Sequence, residues 1–124
     1  MDDRLGTVKI SPQVLATIAR LTTLSVPGVV HMSRDLSSGM DRWLRGKGTA
    51  DGVRVGVTDD AVTIDLAIVV AQDVNVLELG REIQSRVARA ITDMVGMPVL
   101  AINVRVEDVE RKVPQETASS GDTR

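Results

Sequence analysis

The chain's single histidine, His31, is the first candidate for chemistry, because an imidazole can serve as acid, base or metal ligand near neutral pH. It stands between Val30 and Met32, and no neighbouring Ser or Cys reads as an activated nucleophile. A catalytic triad needs three groups that spacing alone does not bring together, so the plain reading is a structural histidine. A closed metal site fares no better, since there is no second histidine and no cysteine to complete it. Asp59-Asp60 lacks the surrounding pattern of an EF-hand loop and reads as a turn. Gly46-Lys47-Gly48-Thr49 hints at a phosphate-binding loop, but Asp41 stands where the motif needs its first glycine. Gly48 also replaces the hydroxyl that would hold Mg²⁺, which leaves a glycine-rich connector. No catalytic, cofactor-binding or metal-binding residue is assigned, and an enzyme is not expected.

One cluster invites a different chemistry. Arg42, Trp43, Leu44 and Arg45, with Lys47 close by, put the sole Trp and three cations in a polar, glycine-rich stretch. Trp and Arg combine contact area with directional polar groups and are enriched among interface hot spots. The same residues suit an anionic membrane surface. The competing reading folds Trp43 back over one end of an aromatic-poor core. We take the cluster as a candidate partner-binding site.

The elements that must position these residues follow from composition and periodicity. At 124 residues, 43% of them hydrophobic, the chain is one domain with a genuine core. With no Phe or Tyr that core is aliphatic. A formal net charge of −2 argues against a nucleic-acid footprint. The opening Met1-Asp2-Asp3-Arg4 lacks the basic-then-apolar order of a secretory signal, and no apolar run approaches the roughly 20 residues of a membrane span. Cytoplasmic placement is expected, with any membrane association arising through a partner.

The best-written element is the helix from Asn75 to Pro98. Asn75 is a good cap, Glu78 can complete a capping box, and Val76, Leu79, Ile83, Val87, Ala90, Ile91 and Met94 recur at helical spacing. Gly96 and Pro98 end it. A first helix is capped by Ser11, carries Pro12 in its first turn and runs to about Leu24, with Val14, Leu15, Ile18 and Leu21 as its apolar stripe. Strands are expected over Leu5–Ile10, Val29–Ser33, Val53–Val57, Val62–Val70 and Leu100–Val106, where apolar and polar residues alternate. Residues 34–52 read as a flexible loop and residues 110–124 as a disordered polar tail, which leaves 1–109 as the folded domain.

The predicted order is thus β-α-β-β-β-α-β, an α/β (α+β) fold. The strands alternate instead of running continuously apolar, so one face of a mixed sheet is wet and both helices pack on the other. That is a two-layer sandwich. It leaves Arg54, Thr63, Asp65, Asn103 and Arg105 on an open face, and Arg54 and Arg105 join the candidate partner-binding residues.

Taken in order, the landmarks resemble the alkaline shock protein family of bacterial envelope stress response proteins. They are Gly6 to Ser11, Val26-Pro27-Gly28-Val29, Lys47-Gly48 before Val53-Arg54-Val55, and Val62 to Leu66. Asn75-Val76, Ile83-Gln84 to Val87, and Ala101 to Val109 complete the set. The resemblance spans about residues 5–109 and rests on the ordered set, each phrase being weak alone. It implies a non-enzymatic structural or scaffolding protein without cofactors, a homo-oligomer that also contacts a protein partner, in some cases a membrane-anchored one. The alternative it implies is a regulatory partner of a metabolic enzyme, in fatty-acid metabolism for some members. RNA binding is disfavoured by the charge balance and the lack of a Gly-x-x-Gly clamp or strand aromatics. One departure is Ala71-Gln72, where many members carry an aromatic residue.

Overall fold

Local hydrogen bonding places both helices. In the computed structural model, which describes residues 5–33 and 48–111, Ser11 Oγ accepts the Gln13 N–H at 3.1 Å and opens α1, Pro12–Leu24. Asn75 Oδ1 accepts the Glu78 N–H at 3.0 Å and opens α2, Val76–Val95. Gly96 closes α2 in the left-handed region at φ 78°, a conformation that costs glycine nothing.

The strands are β1 (Val29–Met32), β2 (Gly48–Ala50), β3 (Val53–Thr58), β4 (Ala61–Ala71) and β5 (Val99–Glu110). Asp59 and Asp60, at φ 52° and 66°, form the two-residue turn joining β3 to β4. Two successive positive φ values match the twist of a hairpin, which answers how this turn closes without glycine. β4 is the central strand. β5 pairs with it in parallel along one edge, and α2 is the crossover that such a pairing requires. The other edge is shared, with β3 opposite residues 61–66 and β1 opposite residues 68–70, both antiparallel. β2 pairs outside β3.

The handover between β3 and β1 falls on Ala67. Its N–H donates to Gly52 O at 2.9 Å, and its carbonyl accepts the Ser33 N–H at 2.8 Å. Gly52 sits at φ 71°, and a Cβ there would lie 2.6 Å from Ser33 O and 2.7 Å from Ala67 O. Backbone conformation and space both demand glycine.

Packing follows the alternation. Val62, Ile64, Leu66, Ile68 and Val70 of β4, with Val53 and Val55 of β3, meet Leu15, Ala16 and Ala19 of α1 and Leu79, Ile83, Val87 and Ile91 of α2 in one core. Each fully buried aliphatic side chain contributes about 1.5–3 kcal/mol, so this single face carries the domain's stability. The two helices therefore lie on one face of a mixed sheet, and the architecture is the expected two-layer α+β sandwich.

Four details correct the sequence reading. The segment 5–10 is not a strand: it pairs with nothing described, and Leu5 and Val8 are 90% and 89% exposed. Alternation alone does not make a strand without a paired neighbour. Residues 34–52 are not all loop, because Gly48–Ala50 adds to β3 as β2 even though its side chains show no strand pattern. β5 runs on through Glu110, held by its pairing with Ala71, so the polar tail cannot begin at that residue. The apolar stripes are also narrower than drawn. Val14, Leu21, Val76 and Met94 are exposed, while Ala16 and Ala19 let α1 approach closely.

Candidate functional site

With the helices on one side, the outward residues of β3, β4 and β5 form a face that no described helix or strand covers. The strand registers assemble it row by row. Arg54 lies opposite Asp65, and Asp65 lies opposite Asn103, so three strands contribute to one polar row. Asn103 Nδ2 donates to Asp65 Oδ1 at 2.8 Å, which fixes the middle and one end of it. Arg54 Nε is buried without a hydrogen-bond partner among the described residues. A buried donor left unpaired costs about 1–3 kcal/mol, so a group that supplies an acceptor beside Arg54 gains by doing so.

The next row sets Ala67 beside Arg105, whose Nη2 meets Glu107 Oε2 at 2.8 Å along the same strand. Beyond it Val69 lies between His31 on β1 and Asp108 on β5. His31 Nε2 is 3.4 Å from Glu110 Oε1, and Nδ1 is 3.1 Å from Met32 O. His31, its side chain 57% exposed, thus lies within reach of a carbonyl on its own strand and a carboxylate on β5. Ala67 and Val69 share the parity of this side, and both are buried. A cavity of about 530 Å³ at this end is lined by Arg20, His31, Asp51, Glu107 and Asp108, among others, with charges of both signs.

Of the candidate partner-binding residues, Arg54 and Arg105 lie on this face, one in each of two successive rows. Arg42, Trp43, Leu44, Arg45 and Lys47 lie outside the described residues. Sequence reasoning missed the acidic group of Glu107, Asp108 and Glu110 around His31. Its placement depends on the register shift between Ile68 and Val69, which puts Glu107 out of step with β4 and which no side-chain pattern announces. Among the described residues no three His, Asp or Glu side chains converge to hold a metal ion, and no helix is long and apolar enough to cross a membrane. The arrangement offers polar and charged contacts on a rigid sheet, chemistry suited to docking.

Comparisons with known proteins supply the family context for that geometry. A family model for the alkaline shock proteins, described as having a cell envelope-related function, matches residues 1–111. The uncharacterized protein YqhY of Bacillus subtilis (strain 168) is 27% identical over 109 residues, covering 88% of this chain and 81% of that one. The uncharacterized protein Spy1535 of Streptococcus pyogenes serotype M6 is 30% identical over 119 residues, covering 94% and 89%. Among solved structures, a MamM CTD variant matches with a TM-score of 0.50 at 17% identity, covering 82% of this chain and all of that one, a likeness of fold.

Proposed function

The chain belongs to the alkaline shock protein family, whose function is cell envelope-related, and from that premise we propose that it is a non-enzymatic scaffold of the bacterial envelope stress response, acting through protein–protein contacts. The observation that carries this reading is the one-sided packing of the helices. The apolar core lies on one face of the sheet, and the opposite face presents Arg54, Asp65, Asn103 and Arg105 on three rigid strands. A surface of this kind recognises a partner by charge and hydrogen bonding, and it leaves Arg54 Nε in need of an acceptor. The scaffold is cytoplasmic in this reading and reaches the membrane through an anchored protein partner.

The test is affinity capture from native membrane fractions with the wild-type chain, an Arg54→Ala, Arg105→Ala variant and a Trp43→Ala, Arg45→Ala variant. Loss of the same partners in the first variant assigns the sheet face, and loss in the second assigns the Trp43 cluster. Equal recovery by all three chains would sink both surfaces. If the captured partner is instead a soluble metabolic enzyme whose rate changes on adding the chain, the regulatory reading replaces the scaffold.

A further inference from the structure

The polar row across the open face holds two opposite charges that do not meet. Arg54 on β3 lies opposite Asp65 on β4, and both are partly exposed. Asp65 accepts from Asn103 at 2.8 Å, and among the described residues no ion pair joins it to Arg54. Arg54 Nε in turn has no hydrogen-bond partner there. The row on one side of this pair is small and flat, with Gly56, Thr63 and Ala101 side by side on β3, β4 and β5.

We infer that the open face of one copy of this chain packs on the open face of a second copy, about a two-fold axis parallel to the strands between β3 and β4. A two-fold interface brings one patch together from both sides, so the patch must complement itself. This axis lays β3 of each copy over β4 of the other. Because Arg54 and Asp65 share a row, Arg54 of each copy comes to lie over Asp65 of the other, and the four charges alternate in sign. The neighbouring row sets Gly56 over Thr63, where short side chains allow the separation of about 10 Å found between stacked sheets.

The charge pattern selects this axis over its alternatives. An axis along β4 itself sets Asp65 over Asp65, and one running across the strands through this row sets Arg54 over Arg54 as well. Like charges so placed repel. An axis between β4 and β5 carries Arg54 past the edge of the other sheet and gives it no acid. With the axis between β3 and β4, β5 of one copy lies over β2 of the other. Arg105, holding Glu107 at 2.8 Å, then falls toward the turn between β2 and β3, which carries Asp51. Asp108 and Glu110 lie one and two rows further on, past the last described pair of β2 with β3. The inference deepens the scaffold reading by naming a second copy as occupant of its docking face, and rests on that reading for its purpose, though not for its geometry.

Sedimentation velocity on the full chain tests this by exchanging charges. Arg54→Asp and Asp65→Arg each set like charges together at both contacts, and each alone is expected to weaken the dimer by at least about tenfold. Mixed in equal amounts, the two variants again oppose acid to base at both contacts, and a mixed dimer of wild-type strength is expected. Circular dichroism of each variant reports its fold. Should either variant unfold, Thr63→Lys takes its place, since a long side chain in the small row is expected to hold the sheets apart and leave a monomer. A dimer that none of these variants weakens would overturn the inference, as would single variants that dissociate and do not recover on mixing. A wild-type monomer at every concentration also overturns it, and leaves the face to a protein of another kind, so the scaffold reading survives that result. Affinity capture that returns no partner sinks the scaffold and leaves the dimer measurement untouched.

Discussion

The two faces of β4 divide the work of this molecule. On one, Val62, Ile64, Leu66, Ile68 and Val70 are all shut away from solvent against two helices. On the other, Thr63 and Asp65 remain half-exposed, while Ala67 and Val69 are buried. The first face is bound by volume, because close-packed interiors register the loss of single methylene groups. The second is bound by charge and hydrogen-bond geometry, which tolerate substitution and can be shared with a partner. In the proposed reading, stability and recognition are thus separated by the pleat of one strand.

That separation can be broken most forcefully from the closed side. Ile64→Ala empties a fully buried site and is expected to cost about 2–5 kcal/mol in urea unfolding, with the slope of the transition unchanged. Gly52→Ala attacks the joint between the faces. It forces a side chain onto two carbonyl oxygens at positive φ, and about 1–3 kcal/mol is expected from the same measurement. Asn75→Ala, which removes the α2 cap, is expected to cost about 1 kcal/mol, visible as a lower melting temperature. Arg54→Met belongs to the open face and is expected to leave stability unchanged or raise it by up to about 1–3 kcal/mol, since it removes a buried donor that has no described hydrogen bond. The same variant is expected to lose partner recovery in affinity capture. If Arg54→Met destabilises the fold as much as Ile64→Ala does, the two faces are not separate.

Much of this fold was legible because the core obeys simple periods. α2, its caps, the β3–β4 hairpin and the parity of Arg54, Asp65, Asn103 and Arg105 all follow from spacing of about 3.6 or 2 residues. The illegible parts have physical causes. The segment 5–10 has the pattern of a strand, but a strand also needs a partner, and it pairs with no described strand. Gly48–Ala50 pairs with β3, although Gly-Thr-Ala is too short to carry an alternation of apolar and polar residues. Helical spacing puts Val14 and Leu21, the larger apolar residues, on the stripe of α1, whereas closeness to the sheet favours Ala16 and Ala19. On the candidate site, parity gave the sheet arginines, but the grouping of His31 with Glu107, Asp108 and Glu110 depends on a register shift at Val69. No arrangement of apolar and polar residues encodes that shift.

The handover at Ala67 has a consequence for how chain length can vary. The polypeptide leaves the sheet after Ser33 and is back in it as β2 from Gly48, and Ser33 and Gly52 are both tied to Ala67, one by its carbonyl and the other by its N–H. Whatever lies between them begins and ends at one point of a rigid strand. Lengthening such an excursion costs only about 0.6 kcal/mol for each doubling, because closure entropy grows with the logarithm of length. Chain added between Ser33 and Gly48 therefore carries little closure cost, whereas an insertion between Gly48 and Gly52 would disturb the pairing of β2 with β3. The fold holds a fixed socket there, into which segments of different length and composition can be fitted.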